Sequence, residues 1–247
     1  MPVLLDGGCR VSELLEGTPE ELGTVFSYTH AGRQSGATAI SLRVLRYTPG
    51  RSPELGNASC DEVLYTLEGA GTLLIDGERF PLEPESGFYV PPGSRFAIEN
   101  HGLEPLTLVG SRCPDPGTPL GSDARTPTRK PAPPLRLLDQ AAEVTGDRWY
   151  RVMVDGRVGS HEVTQFVGSI PPGRAPAHFH EYEEVLCILS GVGRMWAGRE
   201  SAPIGRGSCI FLPRRQVHSV ENTGEGELRL LGVFYPAGSP AVRYDPD

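Results

Sequence analysis

The segment Glu62-Val63-Leu64-Tyr65-Thr66-Leu67-Glu68-Gly69 returns 122 residues later as Glu184-Val185-Leu186-Cys187-Ile188-Leu189-Ser190-Gly191. The same offset carries Gly71 to Gly193, Pro91 to Pro213 and Asn100 to Asn222, and Pro49-Gly50 recurs at Pro172-Gly173 with a slip of one residue. Two copies, at a period well beyond the roughly 20–50 residues of solenoid repeats, describe a duplicated domain. A chain of 247 residues has room for two such domains, each with its own core.

Each copy reads as nearly all strand. Gly 31 and Pro 24 are high, and short apolar runs are punctuated by Pro-Gly, Asp-Gly and Asn-x-Gly, as expected of many short strands and tight turns. The first copy offers strands at 39–47, 62–67, 71–75, 87–90 and 107–111; the second at 149–154, 162–170, 184–189, 193–197, 209–212 and 228–234. Antiparallel strands in this number suit a small closed barrel or jelly roll, which removes exposed sheet edges. Between the copies, 113–134 is rich in proline and reads as a stiffened linker. A short helical turn is expected within 135–144. The expected division is 1–115, a linker at 116–134, and 135–247.

The formal charge of −8 and a pI near 5.3 argue against nucleic acid or an anionic membrane as partner. A small molecule is the better expectation. Residues 1–15 lack the basic lead-in and long apolar run of a signal peptide or membrane span, so the location expected is cytoplasmic. Five cysteines without a Cys-x-x-Cys pair read as reduced thiols, and Cys187 and Cys209 as buried strand residues.

Chemistry is concentrated in the second copy. His178-x-His180-x-x-x-Glu184, followed after a glycine-rich hairpin by His218, offers three imidazoles and one carboxylate to one transition-metal ion. His178 and His180, two apart on a strand, would face the barrel interior together. The first copy has lost this set: Gly56 and Ala58 stand opposite His178 and His180, Phe96 opposite His218, and only Glu62 remains. One carboxylate cannot hold a transition metal against water, so a structural or pocket-capping role is expected there.

These residues resemble the cupin superfamily. Gly173, four residues, His178-x-His180-x-x-x-Glu184, six residues and Gly191 match its first motif with one residue fewer after the leading glycine. Gly207, five residues, Pro213, His218 and Asn222 match the second, although the usual Pro-x-Gly is here Pro213-Arg214-Arg215. The resemblance implies an all-β bicupin, two tandem jelly-roll barrels joined by the proline-rich linker, that binds one divalent transition metal in the second barrel. Fe or Mn leads, with Ni, Co and Zn as alternatives. The two barrels would pack as a pseudo-dimer, and a further homodimer stays open.

By parity with the ligands, Leu186 and Ile188 go with Glu184, and Gln216 and Val220 with His218, giving an apolar chamber. Tyr182, Phe179, Trp149, Trp196, Arg174, Arg214 and Arg215 are candidates for its mouth, and Arg214 and Arg215 could attract an anionic substrate. Three functions follow. The first is a metal-dependent dioxygenase or oxidoreductase like the quercetinase-type cupins, on a small organic acid, enol or phenol, with Glu184 both ligand and catalytic proton acceptor as the family implies. The second is a non-redox lyase, isomerase or aminohydrolase; (S)-ureidoglycine aminohydrolase shares the bicupin plan but resembles Glu-x-His-x-x-x-His with a later Gln. The third is a non-catalytic small-molecule-binding cupin.

Overall fold

The computed structural model describes residues 1–114, 117–121, 123, 126–127 and 129–245. Part of the expected linker, at 116, 122, 124, 125 and 128, lies outside the described residues. Among the described residues every ladder is antiparallel, there is no α-helix, and helical structure is limited to short 3-10 turns, one of them Leu137–Asp139 in the stretch whose sequence suggests a helical turn.

Each copy forms a large sheet and a small sheet. In the second copy the large sheet runs Cys209–Leu212, Glu183–Ser190, Leu228–Tyr235, Thr164–Ile170, Arg148–Val154, Glu143–Thr145, and the small one Gly173–Arg174, His218–Asn222, Val192–Ala197, Glu200–Gly205. The first copy repeats this with Ser86–Val90, Asp61–Glu68, Leu106–Cys113, Leu42–Tyr47, Val25–Ala31, Glu20–Leu22, against a small sheet built on Gly71–Ile75 and Arg95–Asn100.

Strand alternation sorts the repeated segment into two cores. Leu186 and Ile188 enter the interior of the second barrel, while Val185, Cys187 and Leu189 point the other way. The first copy matches: Leu64 faces its own barrel, and Val63, Tyr65 and Leu67 face outward. The outward sets of both copies, with Cys209, Phe211, Leu231 and Val233, make one shared core between the large sheets. Both faces of these strands are therefore buried, which is why the segment is apolar almost throughout. All five cysteines are free and buried.

Repeated polar residues do repeated work. The Asn222 amide donates to Ile170 O at 2.8 Å and Gly226 O at 2.7 Å, and the Asn100 amide donates to Tyr47 O and Glu104 O, both at 2.9 Å. Gly193 and Gly71 allow close strand approach, since a Cβ would lie 2.1 Å from Glu221 O and 2.4 Å from Glu99 O.

The copies also exchange strands across the sequence division. Val3–Leu4 and Arg10–Ser12 extend the edge of the second barrel's large sheet, with Arg10 to Ser12 paired to Phe211 to Cys209. Leu135–Arg136, beyond the linker, pairs with Gly87 and Ser86 of the first. His30 of the first barrel holds the crossing segment, its ring nitrogens 2.9 Å from Ser12 Oγ and 3.0 Å from Leu14 O. Glu183, buried at the seam, accepts from Thr38 N and Oγ1, Ala39 N and Ile40 N at 2.7–3.2 Å.

Within the first barrel, Glu62 forms an ion pair with Arg112, Oε2 to Nε 3.0 Å, both side chains almost fully buried. Arg112 lies opposite Glu62 across the ladder, where Phe234 lies opposite Glu184 in the second copy. A guanidinium thus neutralises the one surviving carboxylate, and Phe96 fills the space with the surrounding aliphatic core. His101 is exposed and pairs with Thr72 Oγ1 at 3.0 Å.

Candidate metal centre

His178, His180, Glu184 and His218 converge at one end of the second barrel. His178 and His218 form a two-bond bridge, His178 N to His218 O 3.0 Å and His218 N to His178 O 2.9 Å, and Arg215 N donates to His180 O at 2.7 Å. These bonds fix the backbones that carry the imidazoles. One ligating nitrogen from each histidine lies within 4.8 Å of the other two. Glu184 Oε2 stands 3.5 Å from His180 Nε2 and 3.9 Å from His218 Nε2.

Those separations are too long for hydrogen bonds and suit atoms that share a common ion. The tautomers agree. His178 Nδ1 lies 3.0 Å from Pro176 O and His218 Nδ1 2.8 Å from Gln216 O, so both Nδ1–H groups donate to carbonyls and the Nε2 lone pairs are free for a ligand. The ring of Tyr182 stacks on His180 at 4.9 Å and on Phe234 at 4.9 Å.

Burial sets the protonation of the cluster. It pushes His218 down to about 3 and His180 down to about 4, with His178 adding to both, and it lowers His178 as well. It lifts Glu184 to about 8. Neutral imidazoles are what a cation requires, and a bound dication would reverse the penalty on the carboxylate. The donor set fits one divalent transition metal, which His178, His180, His218 and Glu184 would hold.

The cluster opens into a cavity of about 160 Å³. Its wall is largely apolar, with Trp149, Tyr150, Phe166, Ile170, Leu186 and Val220. Of the residues expected around the chamber, Leu186, Val220 and Trp149 line it. Ile188 lies deeper in the barrel core, one strand step beyond Leu186. Tyr182 backs His180 from behind, and Gln216 serves through its backbone carbonyl while its side chain bonds Val217 O.

Arg214 and Arg215 are not on the cavity wall. Arg214 donates to Glu181 O and Arg215 pairs with the Glu181 carboxylate at 2.8 Å, both on the outer surface. Arg215 has the left-handed φ of 61° at the position where the first copy has Gly93, φ 86°. The turn keeps its shape without the glycine, and its side chain is directed outward. Arg174 packs over Trp196 at 4.1 Å, and Phe179 stacks on Tyr244 at 5.6 Å.

Sequence reasoning missed the other lip. Thr145 and Arg148 come from the hairpin that leads into the second barrel's first long strand, and Pro240, Ala241 and Arg243 from the C-terminal segment that returns across the opening. That segment is tied to the ligand loop by Phe179 N to Tyr244 O, 2.9 Å, and Tyr244 N to Phe179 O, 3.1 Å. Nothing in its composition marks it as part of a site.

No helix among the described residues is long and apolar enough to cross a membrane. Tetracenomycin polyketide synthase protein TcmJ of Streptomyces glaucescens is 34% identical over 99 residues, covering 39% of this chain and 66% of that protein. The oxalate-binding protein of Thermotoga maritima is 37% identical over 67 residues, 26% of this chain and 55% of that protein. In both cases the match spans less than two thirds of the relative's length. Protein YlbA of E. coli superposes over 98% of this chain and 96% of its own with a TM-score of 0.76 and 14% identity. Oxalate decarboxylase of Bacillus subtilis, in a structure at pH 4.6, superposes over 92% of this chain and 76% of its own, TM-score 0.71, 16% identity. These likenesses establish a shared fold. The cupin domain profile matches the chain twice, over 43–110 and 166–234, once in each barrel, and the chain therefore belongs to the cupin family as a bicupin.

Proposed function

We propose that the second barrel is a metal-dependent enzyme acting on a small organic acid, enol or phenolic substrate, of the dioxygenase or oxidoreductase type. The observation that carries this reading is the convergence of His178, His180, His218 and Glu184 at an apolar cavity large enough for a small molecule. Iron or manganese leads; when bound, such an ion supplies a Lewis-acidic, redox-capable centre whose remaining positions are open to ligands. The protein's part is to hold the ion and to keep water from the reacting atoms with the walls formed by Trp149, Phe166 and Leu186. Glu184, beside two imidazoles, is the group placed to accept a substrate proton. A cytoplasmic site of action accords with five free thiols.

A second reading, a lyase, is supported by the likeness across both barrels to oxalate decarboxylase, for which Mn(II) centres are described. The oxalate-binding relative supports a third, a binding cupin without turnover. Metal analysis of protein purified without added metal, followed by oxygen uptake against enols, catechols and small acids, separates the three. Stoichiometric metal with substrate-dependent oxygen consumption is expected. Metal with substrate loss but no oxygen consumption selects the lyase. Protein without metal, whose melting temperature is unmoved by Fe, Mn, Ni, Co or Zn, leaves only the binding reading.

A further inference from the structure

Two cations interrupt the apolar wall of the cavity. Arg148 opens the strand Arg148–Val154, and Arg243 lies on the returning C-terminal segment; both line the opening beside the histidines. They come from separate lips, one before the barrel and one after it. Arg148 is three-quarters buried, and its Nε is enclosed with no hydrogen-bond acceptor among the described residues. The acid nearest to it, Asp147, stands at 3.7 Å and is 71% exposed, so water screens that pair. Arg243 is exposed and reaches the opening from the solvent side.

The whole chain carries a formal charge of −8, so its overall field repels small anions, and an acid is retained only where local cations outweigh that field. A guanidinium at the rim of a low-dielectric chamber does this, because its planar fork matches both oxygens of a carboxylate. We propose that Arg148 and Arg243 form a carboxylate-binding station at the cavity mouth, selecting acids with an apolar body that fills the chamber toward the histidines. The proposal rests on reading this cavity as the substrate site and names the substrate's charged end. It also assigns the C-terminal segment a specificity role, since Arg243 arrives on it.

The test is binding to the metal-stripped full-length chain, with benzoate as the acid and benzamide as its neutral counterpart, followed by calorimetry and by Trp149 fluorescence. Benzoate is expected to bind about ten-fold more tightly than benzamide, one decade being a usual contribution for a charge-assisted pair. Arg148→Gln should raise the benzoate Kd about ten-fold and the exposed, water-screened Arg243→Gln about three-fold, both leaving benzamide unchanged. Arg148→Lys should recover only part of the loss, because an ammonium keeps the charge without the fork. The double variant Arg214→Gln/Arg215→Gln removes two outer cations and should leave both ligands unchanged.

Absent benzoate binding, equal binding of the two ligands, or an equal loss in the outer-surface variant each overturns the proposal. Benzoate selectivity without turnover of any substrate removes the enzyme reading and leaves this one standing. Turnover without any preference for the acid removes this one and leaves the enzyme.

Discussion

Replacing Glu62 by Leu should cost the protein more than any substitution on its outer surface. Arg112 is 1% exposed, and its Nε sits 3.0 Å from Glu62 Oε2. At that distance and an effective dielectric near 20, the gross attraction is about 5–6 kcal/mol, set against the cost of desolvating both ions. Removing one member leaves an uncompensated buried charge, and the expected loss is about 3–5 kcal/mol. Arg112→Met likewise strands a buried charge and should also be strongly destabilising. The double variant Glu62→Leu/Arg112→Met removes both charges and should fall within about 1 kcal/mol of wild type, a coupling of at least about 4 kcal/mol. Urea unfolding followed by circular dichroism measures all three, and melting temperatures should move by roughly 2–4 °C per kcal/mol for a chain of this size. Metal content should stay the same in every variant, because the pair lies in the first barrel. Additive single losses below about 1 kcal/mol each would refute the idea that this ion pair occupies the space of a lost metal.

Ala in place of His180 or His218 should reduce metal affinity by more than the roughly 10–100-fold seen for outer-shell partners, with the first barrel still folded; retained stoichiometric metal sinks the ligand assignment. In the metal-free protein, Glu184 holds a proton up to about 8, while His180 and His218 refuse theirs down to about 4 and about 3. Below the ordinary imidazole value of 6.5 the unfolded chain binds the extra protons, so stability from these groups is lost as pH falls. Above the ordinary carboxyl value of 4.5 the folded chain alone keeps the Glu184 proton, so stability falls as pH rises toward about 8. Two imidazoles outweigh one carboxyl, and their joint contribution should peak near pH 6.5; melting curves should show the alkaline decline vanish in Glu184→Gln and on metal loading. Arg215→Gly should stabilise the protein by up to about 1 kcal/mol by relieving a left-handed non-glycine residue, partly offset by loss of the Glu181 pair, as read by thermal denaturation. Glu183→Gln should cost about 1.5–3 kcal/mol, since four donors of residues 38–40 lose a charged acceptor, and should weaken metal binding by loosening the adjacent Glu184, which metal titration would detect.

The duplication and the barrel count were legible because each is written locally, as is the candidate ligand set, whose side chains the fold brings together. The period of 122 marks two copies, and His178, His180 and Glu184 fall within one short stretch with fixed strand parity. Parity also placed Leu186 and Val220 on the cavity wall. It overreached at Ile188, because only the end of a strand borders the opening and the rest is core. Arg214 and Arg215 looked available as cations, but the left-handed turn sends them to Glu181 outside. Arg148 and Arg243 were invisible for the opposite reason: their lips meet only after the barrel closes, and neither belongs to a motif. Arg112 could have been found, since the repeat aligns it with Phe234 opposite the ligand carboxylate.

The exchanged edge strands impose an order on how the chain must be made. Arg10–Ser12 leaves the ribosome early, yet its partner, Cys209 to Phe211, is among the later segments to be synthesised. The first barrel likewise waits for Leu135–Arg136 to complete its large sheet. During synthesis the face built from Val63, Tyr65, Leu67 and Val109 stands open until the second barrel arrives to cover it. A chain stalled between the copies would carry both an apolar surface and an unpaired strand edge, the two features that recruit chaperones or drive aggregation. The same topology ties the final act of assembly to the metal-bearing half, since the N-terminal strand docks beside Glu183–Ser190's neighbour only once that sheet exists.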